Sequence, residues 1–126
     1  MAVQPIKTEE APMAVGPYSQ GIVAGNLVFT AGEIPVNPAD GSVPESIEDQ
    51  TRQAIENIFA VLRAGGVGKD HVVSVTVYLK NIDDFPKVNR IYAECFEEPF
   101  PARSCIAAAA LPKDVGIMIS AIGVRY

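Results

Sequence analysis

The sequence predicts an α+β fold in which two helices pack on one face of a mixed β-sheet. Strand-like and amphipathic helical segments alternate in the order (β)ββαβαββ, and Ala24-Gly25-Asn26 forms a hairpin turn between two early strands. Crossovers between strands of one sheet are right-handed, so both helices are expected on the same side. With 126 residues, 48% of them hydrophobic, and no repeat or linker, the chain is expected to form one domain over 1–126.

The first helix is predicted over 46–64, where apolar residues recur at helical spacing. Ser46 and Asp49 suggest an N-terminal cap, and Gly65-Gly66 ends the run. A glycine-rich stretch that follows a helix lacks the donor-rich helix N-terminus that binds phosphate. The stretch 65–68 is therefore interpreted as a cap and loop.

The second helix is predicted over 84–97, with an aspartate cap and Pro86 in its first turn. An aromatic and aliphatic stripe follows along one side of this helix. Most members of the stripe are interpreted as core residues. Phe85 and Asn89 are kept as candidates for a binding site.

The strands are predicted from apolar or alternating runs bounded by turn residues. Their ranges are 2–8, 18–23, 26–31, 72–80, 103–110 and 116–125. In 72–80, the odd-numbered positions from Val73 to Leu79 form one apolar face, while 106–110 is apolar on both faces. Contiguous apolar surface on the second face of a sheet marks an interface, so another subunit is expected to cover it.

Charge and composition exclude several classes of function. The net charge of -5 argues against a phosphate-binding surface, so nucleic acid is not an expected partner. Cys95 and Cys105 fall in a predicted helix and strand, which fits a reducing compartment better than a disulfide framework. Segment 1–13 lacks the apolar core of a secretory signal, and no run is long enough to span a bilayer, so a cytoplasmic protein is expected.

Arg103 stands alone between Pro101 and a run of small residues. Its planar guanidinium can hold a carboxylate through two hydrogen bonds, and extended backbone beside it can hold the rest of a small acid. The alternative is an ordinary surface ion pair. Cys105 is not expected to act as a nucleophile, because the single histidine, His71, begins another strand. No grouping of Cys, His, Asp or Glu has metal-ligand spacing.

Several motifs stand in order along the chain at the distances typical of one known family. They are Gly16-Pro17-Tyr18-Ser19-Gln20, Gly25-Asn26-Leu27-Val28-Phe29-Thr30-Ala31-Gly32-Glu33-Ile34-Pro35, Val88-Asn89-Arg90-Ile91-Tyr92, Pro101-Ala102-Arg103-Ser104-Cys105 and Leu111-Pro112-Lys113-Asp114-Val115. Together they closely resemble the RidA (YjgF) family of reactive-intermediate deaminases over nearly the whole chain. Separated motifs in register are far more specific than any one of them.

The resemblance implies a chorismate-mutase-like fold assembled as a homotrimer, with a cleft at each of three subunit interfaces. It implies hydrolysis of an enamine or imine of a 2-oxo acid, such as 2-iminopropanoate, to the 2-oxo acid and ammonia without a cofactor or metal. Arg103 is then the carboxylate clamp, and the backbone at Cys105 contacts the substrate. Tyr18 and Asn89 help complete the cleft, although Tyr18 could instead be a core tyrosine and Asn89 could bind local backbone.

Three positions depart from the family pattern. Deaminase members commonly carry serine, glutamine and glutamate where this chain has Ala31, Glu33 and Met118. The family glutamate is thought to activate the hydrolytic water, and general-base assistance is typically worth ~10²–10⁴ in rate. Reduced activity is therefore expected. Glu33 replaces it as the catalytic base if its side chain turns into the cleft; a salt bridge or a solvent position is the alternative.

Two other functions stay open. The same cleft could serve a non-catalytic binding protein or sensor for small 2-oxo acids, which Met118 favours because methionine cannot accept a proton. Some members of the family that the chain resembles have been described as ribonucleases or translation inhibitors. The acidic charge and the lack of a histidine-based acid–base pair count against that role here.

Overall fold

The computed structural model describes residues 3–126, which form one six-stranded sheet and two α-helices. The strands are β1 (Gln4–Ile6), β2 (Gly21–Ala24), β3 (Leu27–Thr30), β4 (Val72–Leu79), β5 (Ala102–Ala107) and β6 (Ile117–Val124). The helices are α1 (Ile47–Ala64) and α2 (Phe85–Cys95). The sheet order is β1-β2-β3-β6-β4-β5, with β4 and β5 parallel and the other neighbouring pairs antiparallel. The predicted mixed α+β architecture is confirmed.

Helix α1 begins and ends as the sequence predicts. The Ser46 hydroxyl accepts a hydrogen bond from the Asp49 N–H at 3.1 Å, and the Gly65 N–H closes the last turn on the carbonyl of Leu62. Its buried face, which includes Ile55, packs against β6 and β3. Burying each large aliphatic side chain there contributes about 1.5–3 kcal/mol. Neither α-helix in the described part of the chain has the length and apolarity to cross a membrane.

Helix α2 begins after Asp84 as predicted, but it lacks the predicted capping bond and ends early. A 3-10 turn over Ile82–Asp84 leads directly into the helix, so Asp84 already has near-helical backbone angles and its side chain makes no capping hydrogen bond. Asp84 is therefore the residue at the predicted cap position, but it lacks the predicted capping hydrogen bond. At the other end Phe96 is extended and its ring stacks on Tyr92 at 4.4 Å between centroids, which ends the helix two residues early.

The strands are shorter than predicted, for reasons of pairing. The run predicted over 103–110 ends at Ala107, which pairs with Leu79, the last residue of its partner β4. Residues 18–20 form a loop before β2, and the predicted 2–8 strand shrinks to Gln4–Ile6, with residue 2 outside the described residues. The end of a strand thus depends on where its paired strand ends, and the sequence of one strand alone does not reveal that.

A β-bulge in β4 overturns one prediction about its faces. Val72 pairs with Gly123 and Ser74 with Ile122, so Val73 is an extra residue without a partner of its own. Val73 is accordingly 43% exposed, whereas Val72 is buried. Beyond the bulge the alternation is as predicted, and the odd-numbered residues up to Leu79 lie in the core.

The face of the sheet away from the helices carries both apolar and hydroxyl side chains. Phe29 and Ile106 are exposed, while Ser74, Thr76 and Ser120 border a shallow cavity of about 180 Å³ that includes Phe29. We call this surface the open face. The hydroxyl groups of Ser74, Thr76 and Ser120 interrupt its apolar surface.

Candidate functional site

Arg103 lies on the edge strand β5, with its guanidinium against two aromatic rings of α2. The Arg103 Cζ atom is 4.6 Å from the centroid of Tyr92 and 5.3 Å from that of Phe85. Such stacking holds the cation by its face and leaves the N–H groups around its rim available. Within residues 3–126 Arg103 makes no ion pair, so the surface-pair alternative finds no partner here.

The register of β5 against β4 explains this orientation. Arg103 pairs with Val75 and Cys105 with Val77, and both valines are buried on the helix side of the sheet. The Ala108 N–H donates to the carbonyl of Leu79 at 2.8 Å. Since backbone groups alternate along a strand, those of Arg103 and Cys105 point to the unpaired outer edge. Guanidinium and main-chain donors thus lie at the same edge.

The two α2 residues that contact Arg103 share one side of the helix with a third residue, at positions i, i+4 and i+7. These are Phe85, Asn89 and Tyr92. Asn89 is half-buried, and its side chain makes no hydrogen bond with any of residues 3–126, so it remains free to meet a ligand. The alternative, a hydrogen bond from Asn89 to nearby backbone, is not present among these residues.

Tyr92 lies in the core, as the sequence predicted, and its ring also contacts Arg103. Its hydroxyl is buried without a hydrogen-bond partner in the described part of the chain. Burial raises the pKa of Tyr92 to about 12, and the neighbouring positive charge of Arg103 opposes that rise. The helical spacing of Tyr92 from Phe85 and Asn89 placed all three on one side of α2. It did not show that Arg103 would lie against the Tyr92 ring.

Cys105 is half-buried beside Arg103 and packs against the core. Burial raises the pKa of its thiol, an effect that Arg103 only partly offsets, so the reactive thiolate is disfavoured. His71 lies elsewhere, with Nε2 3.9 Å from Asp70 and its ring edge-on to Tyr126. This geometry is consistent with the expectation that Cys105 is not a nucleophile.

Tyr18 lies in the loop before β2 and is 51% exposed, which does not fit a core tyrosine. Its hydroxyl accepts a long hydrogen bond of 3.4 Å from the N–H of Val15. The ring borders a cavity of about 580 Å³ whose walls come from the N-terminal segment and Gln20. Tyr18 is therefore accessible to a ligand.

Met118 lies on the open face, opposite Tyr78 across the β4–β6 pair. Its thioether covers Gly32 so closely that a Cβ atom at that position would stand 2.8 Å from the sulfur. A side chain at position 32 would therefore require the Met118 side chain to move. The neighbouring Ala31 donates its N–H to the carbonyl of Gln20 at 2.9 Å, which ties this short segment to the loop of Tyr18.

Glu33 turns to the opposite side of the sheet from Met118. Its backbone exchanges two hydrogen bonds with Ile119, at 2.7 and 3.0 Å, and residues paired in this way share a face. Ile119 is on the helix side, where the Glu33 side chain is only 5% exposed and its Oε1 has no partner among residues 3–126. Burial raises the pKa of Glu33 to about 8, so its neutral acid predominates at pH 7.

The structure thus divides the candidate residues into two groups. Arg103, Cys105, Asn89 and Phe85 lie around β5 and α2, whereas Tyr18 and Ala31 lie around β2 and β3. The sheet order separates β2 from β5 by four strand spacings, or about 19 Å, with Met118 on a strand between them. One chain does not bring both groups to one small ligand. No three His, Cys, Asp or Glu side chains of the described residues are grouped to hold a metal ion.

The fold and the site define a small α+β protein with an accessible arginine at the open edge of its sheet. Residues 8–125 match the family described as Endoribonuclease L-PSP. This chain therefore belongs to that family, also known as the RidA (YjgF) family, as its motifs predicted.

Individual relatives agree with this assignment. The chain is 48% identical over 123 residues to the 2-iminobutanoate/2-iminopropanoate deaminase of Escherichia coli, covering 95% of this chain and 96% of that protein. The crystal structure of the YjgF gene product from E. coli has a TM-score of 0.94 and 46% identity, covering 98% of this chain and 99% of that one. E. coli TdcF with bound serine has a TM-score of 0.94 and 41% identity, with the same coverage.

We expect Glu33 to make stability depend on pH. Below its ordinary pKa of 4.5 the carboxyl is protonated in both the folded and unfolded states. Between there and about 8 only the folded state keeps the proton, so the free energy of unfolding should fall as pH rises, by at most about 1.4 kcal/mol per pH unit. Chemical unfolding from pH 5 to pH 9 measures this slope.

Two variants calibrate that measurement. Glu33→Gln has the family's residue and cannot titrate, so it should flatten the profile and exceed the wild type in stability above pH 8. The same change at the exposed Glu56 of α1 should leave the wild-type profile as it is. Equal slopes in wild type and Glu33→Gln would refute the assignment of a neutral buried acid.

Proposed function

We propose that this protein hydrolyses 2-imino acids, such as 2-iminobutanoate and 2-iminopropanoate, to the 2-oxo acids and ammonia. The observation that carries the proposal is Arg103, whose guanidinium is stacked on Tyr92 and Phe85 and makes no ion pair within the described chain. Such a cation is oriented for a carboxylate through two N–H donors. The relative named a 2-iminobutanoate/2-iminopropanoate deaminase supports the reaction.

The geometry suggests how the substrate would be held. The substrate carboxylate lies against Arg103 and the outward main chain at Cys105, while Asn89 is placed to bind a polar group beside it. Water then adds to the C=N carbon, and the resulting carbinolamine expels ammonia as the C–N bond breaks and the C=O bond forms. Orientation alone accelerates such a reaction, because the bound imine no longer samples unproductive geometries.

We propose that the complete site forms between subunits of a homotrimer. Within one chain β2, which follows Tyr18, lies about 19 Å from β5, and β3, which precedes Ala31, lies about 14 Å from it. One small acid is too short to touch Arg103 and these two residues together. A neighbouring subunit that covers the outer edge of β5, the strand on which Ile106 is exposed, would bring its own Tyr18 towards this Arg103. Cytoplasmic location and a cofactor-free reaction belong to the same proposal.

Assembly is directly testable. Sedimentation equilibrium at micromolar concentration should report three chains, since the exposed residues of the open face favour burial. Replacing Ile106 with aspartate should weaken association, whereas Ile82→Asp, which changes an equally exposed isoleucine beside α2, provides a matched comparison. A wild-type monomer at these concentrations would contradict the inter-subunit cleft.

The carboxylate clamp predicts the behaviour of Arg103 variants. Arg103→Ala should weaken binding of 2-oxobutanoate, measured by titration calorimetry, by at least about 10-fold, because a charge-assisted pair contributes about 1.5–3 kcal/mol. Arg103→Lys should restore little, since an ammonium does not replace the planar fork. Arg90→Ala, on the exposed side of α2, is the control. Unchanged affinity in Arg103→Ala would place the clamp elsewhere.

A non-catalytic binding protein for 2-oxo acids is the second candidate, and Met118 favours it. Methionine stands where deaminase members carry the water-activating glutamate, and its thioether covers Gly32. Glu33 is buried on the other side of the sheet, so it does not supply a carboxylate at this place. Binding of 2-oxobutanoate without ammonia release from 2-aminoacrylate would support this candidate.

Met118 separates the two candidates experimentally. Met118→Glu should raise the rate of imine hydrolysis by ~10-fold or more, because part of a general-base contribution would exceed an orientation-only background. Met118→Gln has similar size without basicity and should help little. Rates are compared per assembled protein, since a new carboxylate beside Gly32 costs stability. If the wild type already equals the glutamate variant, a group other than residue 118 activates the water.

A further inference from the structure

Gln20 is a buried polar residue that the proposed chemistry does not use. Its side chain is 4% exposed, and its carboxamide binds only main-chain atoms. Oε1 accepts from the N–H of Thr8 at 2.7 Å, and Nε2 donates to the carbonyls of Thr8 at 3.0 Å, Pro12 at 2.7 Å and Ala11 at 3.3 Å. One side chain therefore anchors the segment 8–12, which contains no helix or strand.

The main chain of Gln20 is anchored in a different direction. Its carbonyl accepts the N–H of Ala31 at 2.9 Å, directly before Gly32. Tyr18 precedes Gln20 by two residues. Within the loop its N–H donates to the carbonyl of Gly16 at 2.8 Å, and its hydroxyl has only the weak 3.4 Å bond from the Val15 N–H. The position of the Tyr18 ring thus depends on the two ends of its loop, of which Gln20 is one.

The anchored segment also shapes the space next to Tyr18. Tyr18, Gln20 and the segment from Pro5 to Glu9 border the same cavity of about 580 Å³. Loosening segment 8–12 would remove a wall of this cavity and free the loop that carries Tyr18. The residues of β2 beyond Gly21 would keep their sheet partners.

We infer that Gln20 is a positioning residue: its carboxamide ties segment 8–12 to the end of the loop that carries Tyr18, and so completes the Tyr18 side of the substrate cleft. The inference rests on the proposed function, because it assigns Gln20 an effect on the reaction through Tyr18. Gln20 itself is buried and does not touch the substrate.

The chemistry of a carboxamide is specific for this task. The group must accept one N–H and donate to several carbonyls at once. A carboxylate cannot donate, and the carboxamide of asparagine is one methylene too short to reach the same partners. Methionine has similar length and no donor. Gln20→Met therefore removes the hydrogen bonds with little change in volume, and Gln20→Asn is a milder second variant if the first does not assemble.

A double-mutant cycle tests whether Gln20 acts through Tyr18. With Tyr18 present, Gln20→Met should lower kcat/KM for imine hydrolysis by about 10-fold or more, since small misplacements of a contact are costly. In a Tyr18→Ala background the same change should cost less than about 2-fold, while the loss in Tm should be similar in both backgrounds. An equal loss of kcat/KM in both backgrounds would overturn the inference. Gln53→Met on α1, which removes a glutamine bond to Asn57, is the control that should leave kcat/KM unchanged.

A second measurement needs no activity. Fluorotyrosine incorporated at the 4 tyrosines gives separate fluorine resonances, and Tyr18→Phe assigns the signal of Tyr18. Gln20→Met should shift or broaden that signal and leave those of Tyr78 and Tyr92 in place, whereas an unchanged Tyr18 signal would refute the positioning role. If the wild type has no deaminase activity, only the deaminase proposal is refuted. The fluorine spectra still show whether Gln20 positions Tyr18.

Discussion

The parallel pairing of β5 with β4 is the constraint on which the candidate site depends. Parallel neighbours cannot be joined by a tight turn, so the chain crosses one face of the sheet as α2 before it returns as β5. That crossover lays the rings of Phe85 and Tyr92 over Arg103. Because β5 also lies at the edge of the sheet, its outward backbone groups have no strand partner among residues 3–126. The stacked cation and the open edge are two consequences of one connection.

Side chains alternate between the two faces of the sheet along β6, and this alternation fixes where Met118 and Glu33 lie. Met118 and Ile119 are neighbours in sequence but lie on opposite faces, and Glu33 follows Ile119 to the helix side. The two departures from the family pattern therefore do not compensate each other. An acid is present near this point of the sheet, but burial keeps it largely neutral, while the open face has a thioether over Gly32. This arrangement explains why binding and catalysis have to be tested separately.

Much of the fold could be predicted because its signals are local. The cap at Ser46, the stop at Gly65 and the alternation from Val75 to Leu79 each depend on residues within a few positions. The errors arose where a distant partner decides. The bulge at Val73 depends on the register with β6, and the end of β5 depends on where β4 ends. The missing capping hydrogen bond of Asp84 on α2 reflects a 3-10 turn that continues into the helix.

The sequence alone determined the family, the order of the elements and the choice of Arg103, because separated motifs and periodic apolar positions are properties of a linear chain. Only the tertiary structure decided what surrounds each side chain. It placed Tyr92 under the guanidinium, buried Glu33 away from Met118, and separated Tyr18 from Arg103 by the width of four strands. The physical reason is that contacts, burial and the pKa shifts that follow from them are set by which strands and helices become neighbours, and a sequence pattern does not specify those distances.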